Sequence, residues 1–365
     1  MAASLAFEDV DVIIQSKSHP YSVETFEDLT STLAATSLPE RSHWLVDQVL
    51  LHLHPAAFRG RLPELRTVLI EATEERKSYE AIGPVFLDLL GKGLKRDGNL
   101  VVVGGGVVQD IGCFIATVLA RGIRWELVPT TLLAQADSCI GSKSSINIGS
   151  FKNQIGTFYP PHRVLLCPAA LRSLPWDEMR SGVGEIIKFQ LLTGESEFRE
   201  LMRDLADLSG QPQAIAKWIH RSLEIKQGYI EEDELDRGRR NLLNYGHTFG
   251  HAYESATHYG IPHGIAVVLG MLTATYVSTQ MSMTDRAHFD DVRAQLLPWC
   301  QPYGDLLAKV NLDEVIRAMR RDKKNTVDGV NCILTYGFGK MEKRRVDIDK
   351  VVAPCLQAFI ANELH

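Results

Sequence analysis

The apolar run Leu100 to Val103 enters three consecutive glycines, Gly104 to Gly106, and the chain leaves them through Val107 to Ala120, which reads as a helix. A buried strand, a glycine turn and a helix in that order leave few folds open. Around this unit short apolar runs alternate with helical patterns. His43 to Leu53 reads as a strand entering a turn, Arg66 to Ile70 as a strand, Tyr79 to Leu94 as a helix and Trp125 to Pro129 as another buried strand. Such alternation favours a parallel sheet covered by helices on both faces. The glycines lack the usual G-x-G-x-x-G spacing, so two readings stand: an ordinary tight turn, or a loop where backbone approaches a phosphate and the next helix offers its N–H groups to the anion.

From about Ala169 the pattern changes to longer amphipathic segments. Ala214 to Glu231, Asn241 to Tyr259 and Gly264 to Met281 each carry apolar residues at helical spacing. The expected architecture is an α/β domain over residues 1–171 and an all-α domain over 172–365. There is no internal repeat, low-complexity tract or Pro-rich linker, so a shared interface with the active site between the domains is expected.

Composition narrows the partners. A chain of 365 residues with 45% hydrophobic content can fill two cores. The net charge of −6 argues against a nucleic-acid surface and for a small anionic substrate at most. Six scattered cysteines without CxxC or CxxH spacing indicate buried thiols rather than a thiolate metal site or a disulfide framework. The N-terminus lacks a basic flank followed by a long apolar run, and no stretch reaches the length of a membrane span, so a soluble cytoplasmic protein is expected.

One carboxylate and two histidines within about ninety residues suit a divalent metal: Glu185 in GEIIK, His247 in NYGHTFGH and His263 in PHG. On a helix His247 and His251 share a face, and Lys188 shares one with Glu185. No glutamate follows His247, so the hydrolytic zinc motif is absent. A lone histidine is more often structural than a ligand, and His220 and His258 take that reading. Basic residues cluster at Lys143 and Lys152 in the loop-like GSKSSINIGSFKN, and at Lys226, Arg240 and Lys323-Lys324. They are either solvated faces or holders of phosphate and carboxylate. A cation beside a bound nucleotide would suit an alcohol that must be oxidised.

Taken together, GGGVVQD, LARGIRWELVPTTLLAQADS, GSKSSIN, FKNQIGTFYPP, SGVGEIIK, RRNLLNYGHTFGHAYE, PHGIAVVLGM and DKK resemble the 3-dehydroquinate synthase family of sugar phosphate cyclases, over roughly Glu74 to Lys324. The resemblance implies an NAD- and metal-dependent cyclase, usually a homodimer, with a Rossmann-like N-terminal domain and a helical C-terminal domain. It implies zinc, or cobalt in its place, on Glu185, His247 and His263. It implies NAD against Asp47, Glu74, Lys77, Gly104, Gly105, Gly106, Asp110, Thr130, Thr131 and Asp137. Lys143, Lys188, Lys226, Arg240, Asn244 and His251 would act on the substrate. Lys152, Asn153 and Lys324 would bind it, and Arg121 would reach the phosphate in the partner subunit.

The implied chemistry is transient oxidation of a substrate hydroxyl, β-elimination of phosphate, re-reduction and an intramolecular aldol closure. Lys226, Arg240 and Lys324 favour a substrate carrying carboxylate as well as phosphate, hence DAHP as precursor of 3-dehydroquinate. Cyclases of sedoheptulose 7-phosphate (valiolone-type) or glucose 6-phosphate (2-deoxy-scyllo-inosose-type) are the alternatives, the latter typically with Glu where Asn244 stands. A metal-dependent polyol dehydrogenase is the alternative of another class. The chain departs from the family at Gln109, where glycine is common, at Cys167, where aspartate is common, at Gly141-Ser142-Lys143-Ser144, and at Gly149-Ser150-Phe151.

Overall fold

The computed structural model describes residues 12–149, 151–206, 212–321 and 329–364. Eleven strands are present among them: β1 Val12–Ile14, β2 Tyr21–Thr25, β3 Ser42–Asp47, β4 Thr67–Ile70, β5 Asn99–Gly104, β6 Arg124–Pro129, β7 Lys143–Ile148, β8 Phe151–Phe158, β9 Arg163–Leu166, β10 Val330–Thr335 and β11 Met341–Val346. The α-helices are α1 Leu29–Ala34, α2 Val49–Leu53, α3 Pro55–Phe58, α4 Tyr79–Gly91, α5 Gly106–Val118, α6 Trp176–Thr193, α7 Glu195–Ala206 and α8 Pro212–Glu232. They continue as α9 His247–Ala256, α10 His263–Gln280, α11 Arg286–Cys300, α12 Gly304–Leu307, α13 Leu312–Arg321 and α14 Ala353–Asn362.

The chain divides into two compact units. The first takes Met1–Leu174 together with Gln211–Leu235, and the second takes Pro175–Gly210 with Asp236–His365. The division near residue 174 lies close to the expected boundary, but α8 leaves the second half of the chain to pack on the first unit.

In the first unit seven strands form one sheet in the order β1-β2-β9-β6-β5-β3-β4, parallel except for the β1–β2 pair. Its interior strand β5 is buried along its whole length, as a strand covered on both faces must be, which explains the unbroken Leu-Val-Val-Val run. From β3 the chain passes outward to β4, then returns through α4 to β5, and from β5 through α5 to β6 on the other side. The order therefore reverses between β3 and β5. Their register pairs Val46 with Val103, so Asp47 and Gly104 end neighbouring strands at the crevice where open α/β sheets take ligands.

Two expected features of this unit need correction. Within the glycine- and serine-rich GSKSSINIGSFKN, Lys143–Ile148 forms β7 and Phe151 begins β8, which pairs with it antiparallel where a loop is expected, and the Ile146–Ile155 pair shows the strand alternation that the small residues disguise. The helix after the glycines stops at Val118, two residues early, because Ala120 and Arg121 take left-handed backbone angles (φ 49° and 65°) before Gly122.

The second unit is helical around α10, whose residues from Gly264 to Ser278 are all buried, as expected of a helix apolar on every side. Glycines let its neighbours approach at backbone distance. A Cβ on Gly264 would stand 1.7 Å from the carbonyl oxygen of Ser181 in α6, and one on Gly270 2.0 Å from that of Gly246, just before α9. The single helix expected over Asn241–Tyr259 is two pieces. A 3₁₀ turn covers Arg239–Asn244, Gly246 takes φ 81°, and α9 starts at His247. The unit also holds the antiparallel β10–β11 hairpin, which a purely helical reading omits.

Candidate functional site

In the second unit three elements bring one carboxylate and three imidazoles together. Glu185 sits mid-way along α6 and is 1% exposed. His247 and His263 are the first residues of α9 and α10, and His251 follows His247 by one turn on the same face. The ligand-capable atoms of His247, His251 and His263 all lie within 4.8 Å of one another. Glu185 Oε1 lies 3.2 Å from His263 Nε2 and 3.5 Å from His247 Nε2, yet this buried oxygen accepts no hydrogen bond. An unbonded buried carboxylate oxygen faced by two imidazole nitrogens is a concentration of lone pairs that a divalent cation fits.

The electrostatics agree. Burial alone would raise the Glu185 carboxyl, but the Lys188 ammonium, bonded to its Oε2, and His263 outweigh burial and hold it well below the usual carboxylate range. Burial opposes a charge on His263 as well. The neighbouring Glu185 and Glu254 carboxylates prevail and push it up to about 10. Arg240, 5% exposed, and Asn244 stand on the 3₁₀ turn before α9, where the Asn244 side chain donates to Asn241 O at 3.0 Å.

In the first unit a second constellation surrounds the start of α5. Gly104 closes β5, Gly105 caps α5 and Gly106 opens it. A Cβ on Gly105 would meet Thr131 Cγ2 at 2.7 Å, whereas one on Gly106 would meet nothing within 4 Å. The space before Gly106 is a cradle that a side chain would fill, at the N-terminus of a thirteen-residue helix. Thr130 N donates to Gly104 O at 3.0 Å, which ties the β6 end to the loop.

One turn into α5, Asp110 accepts from Lys77 Nζ at 2.9 Å and from Ser145 N at 3.2 Å. Lys77 also donates to Asn153 Oδ1 at 2.9 Å, and Glu74 Oε1 accepts from Asn147 at 2.8 Å with Lys152 Nζ 3.9 Å away. Burial pushes the Asp110 and Asp47 carboxyls up, and Lys77 offsets the first only in part. Lys143 begins β7 with its ammonium 5.9 Å from the Phe158 ring centre. Lys226 of α8 donates to both the backbone and the side chain of Asp137, at 2.6 and 2.5 Å. Arg121 stands on the exposed turn after α5, and Lys324 lies outside the described residues.

Thus Glu74, Lys77, Asp110, Lys152 and Asn153 form one connected cluster, Asp137 and Lys226 a pair, and Glu185, Lys188, His247, His251 and His263 another cluster. Three participants escape the sequence reading. Ser145 and Asn147 lay in what passed for a loop. Glu254, whose Oε1 lies 3.2 Å from His263 Nδ1, is two helical turns after His247, a spacing that would have flagged it. Gln109, a departure from the family pattern, exchanges bonds with Ser138 (2.5 and 2.8 Å) and so ties α5 to the segment bearing Asp137.

Comparison with known proteins adds to this geometry. Residues 67–181 match the family described as 3-dehydroquinate synthase N-terminal, and residues 182–325 match 3-dehydroquinate synthase C-terminal. The 3-dehydroquinate synthase of Alkaliphilus metalliredigens is 35% identical over 286 residues, 78% of this chain and 79% of its own. That of Acidithiobacillus ferrooxidans is 38% identical over 296 residues, 80% of this chain and 81% of its own. Among solved structures, 2-deoxy-scyllo-inosose synthase with carbaglucose-6-phosphate, NAD⁺ and Co²⁺ superposes with a TM-score of 0.81 at 22% identity, covering 97% of this chain and all of that one. The 2-epi-5-epi-valiolone synthase of Streptomyces hygroscopicus, with NAD⁺ and Zn²⁺, gives 0.78 at 23% identity, covering 96% of this chain and 99% of that one. At these identities the two structures establish the fold.

Proposed function

Because the chain belongs to the 3-dehydroquinate synthase family, we propose that it is a phosphate-eliminating cyclase acting on DAHP to form 3-dehydroquinate, with NAD and a divalent metal, zinc or cobalt, as cofactors. The observation that carries this reading is the unbonded Glu185 Oε1 facing His247 and His263, in a chain whose relatives at 35–38% identity are 3-dehydroquinate synthases.

Glu185, His247 and His263 would hold the metal, and Lewis acidity there lowers the pKa of a substrate hydroxyl. The glycine loop, with Asp47, Glu74, Lys77, Asp110, Thr130, Thr131 and Asp137, would hold NAD, which supplies a recyclable electron acceptor. Lys188 keeps the Glu185 carboxylate charged inside the protein and so preserves its affinity for a cation. Lys143, Lys152 and Asn153 are assigned to the phosphate, where fixed donors stabilise charge on the departing group. Lys226, Arg240 and Lys324 are assigned to the substrate carboxylate. Buried cations at Lys226 and Arg240, 7% and 5% exposed, suit a ligand with more than one anionic group. Asn244 and His251 are assigned to its hydroxyls.

The proposed assembly is a homodimer in which Arg121 serves the partner subunit's phosphate site, and sedimentation measures it. The proposed location is the cytoplasm. Among the described residues no helix is long and apolar enough to cross a membrane.

The test is phosphate release by purified protein with NAD and zinc or cobalt, offered DAHP, sedoheptulose 7-phosphate and glucose 6-phosphate in parallel, with product mass recorded. Release from DAHP alone is expected. Release from a neutral sugar phosphate instead would move the substrate to a sister cyclase, and net NADH formation without phosphate would move the chemistry to a dehydrogenase.

A further inference from the structure

We propose that Glu254 is a positioning residue for metal binding: its carboxylate holds the His263 ring by Nδ1 and so presents Nε2 as a ligand. The inference rests on the reading of Glu185, His247 and His263 as the ligand set.

Three residues of α9 share one face at intervals of four and three, His247, His251 and Glu254. The first two bring imidazoles to the cluster, and the third reaches the first residue of α10. Glu254 Oε1 stands 3.2 Å from His263 Nδ1, and the Glu254 side chain is 14% exposed. On the other histidine, His247 Nδ1 stands 3.3 Å from the carbonyl oxygen of Tyr245. A carbonyl oxygen and an ionised carboxylate can only accept, so in each neutral ring the hydrogen lies on Nδ1 and the lone pair on Nε2. Both Nε2 atoms face Glu185 Oε1, at 3.5 and 3.2 Å, so in the neutral, metal-binding form of each ring the lone pair is presented beside that carboxylate.

The two imidazoles are held by different means. His247 leans on backbone fixed by the turn before α9, and side-chain substitution leaves that partner in place. His263 depends on a side chain, which also adds negative charge behind the ring and makes Nε2 a stronger donor. Glu254 is therefore the one of these two outer partners that a point substitution removes.

The experiment measures Zn²⁺ and Co²⁺ affinity by competition with a chromophoric chelator, for the unmodified protein and for Glu254→Gln, Glu254→Ala and His263→Ala. The visible absorption of the Co²⁺ forms and urea unfolding of each metal-free protein are recorded alongside. Glu254→Gln keeps the shape and a neutral acceptor and is expected to bind about 10-fold more weakly. Glu254→Ala is expected to bind up to about 100-fold more weakly with an altered Co²⁺ spectrum. His263→Ala is expected to lose more than either. Affinity within threefold and an unchanged spectrum in Glu254→Gln, with His263→Ala still defective, overturns the role of Glu254, as does lower stability at unchanged affinity. Unimpaired metal binding by His263→Ala overturns the ligand assignment itself. If Glu254→Ala does not fold, the isosteric Gln variant decides alone.

Discussion

Gly184 and Gly264 touch backbone to backbone: a Cβ placed on Gly184 would lie 2.2 Å from the carbonyl oxygen of Gly264. Each glycine is the immediate neighbour of a proposed ligand, Glu185 on α6 and His263 on α10. The contact that lets the two helices approach is therefore what sets the distance between carboxylate and imidazole. Gly264 N also donates to Ser181 Oγ at 3.1 Å, which fixes the register of that approach.

Gly264→Ala should consequently separate α6 from α10. Its methyl would meet Ser181 O at 1.7 Å, a distance that only backbone movement relieves. The expected cost is about 1–3 kcal/mol or more of stability, as for other overpacked cores, with metal affinity lost in the fraction that still folds. Urea unfolding of the metal-free protein and chelator competition check the two effects separately. Unchanged values in both would mean that the helices are not in contact here.

Neighbouring glycines of the α5 loop should respond in opposite ways. Gly106→Val places its side chain in open space, so the protein should fold normally and bind NADH about tenfold or more weakly, the loss of one or two N–H bonds to a charged group. Gly104→Ala pushes its methyl to 2.7 Å from Val108 Cβ and should instead cost about 1–3 kcal/mol of stability. NADH fluorescence titration and thermal unfolding of both variants make the comparison.

What the sequence made legible follows its periodicities. The Leu-Val-Val-Val run, the glycines and the helix after them carry a signal stronger than any tertiary correction, and so does the three-residue spacing that joins Lys188 to Glu185. The β7–β8 hairpin was hidden because Gly, Ser, Asn and Lys are common loop residues. Its strands are stabilised by pairing and by polar bonds to Asp110 and Lys77, which no local pattern announces. Apolar spacing runs on through Asn241–Tyr259 across the 3₁₀ turn, while the left-handed Gly246, packed against Val267 and Met271, breaks the segment and left-handed His258 and Tyr259 follow the end of α9 at Ala256. Glu254 escaped for a related reason: a glutamate on a helix is ordinary until the helix is known to end in the arms of α10.

Lys188→Met tests the buried pair. Lys188 and Glu185 are 2% and 1% exposed, so removing the ammonium strands a carboxylate in the core. The expected loss in the metal-free protein is about 3–5 kcal/mol. Zinc should restore more stability to this variant than it adds to the unmodified protein, because the ion then supplies the missing positive charge. Unfolding with and without a chelator reads both numbers.

Acid should weaken the first unit through Glu24 and Arg163. The guanidinium of Arg163, on β9, bonds both oxygens of Glu24, on the neighbouring β2, with Nε at 2.8 Å from Oε1. That bond holds the Glu24 carboxyl below its ordinary value of 4.5, with Ser22 helping and burial opposing. A carboxyl lowered in the folded state contributes in full above its unfolded value, and the contribution fades as pH falls from about 4.5 through the lower folded value. At pH 7, Glu24→Gln should therefore cost about 1.5–3 kcal/mol, the range for a bond to a charged group. At about pH 3.5, below the unfolded value, the gap between variant and unmodified protein should have narrowed, because proton uptake by the unfolded chain then offsets part of what the pair contributes. Urea midpoints of the two proteins across that range measure the gap. A gap that widens on acidification would reverse the sign and assign the pair a role other than stabilising the β2–β9 junction.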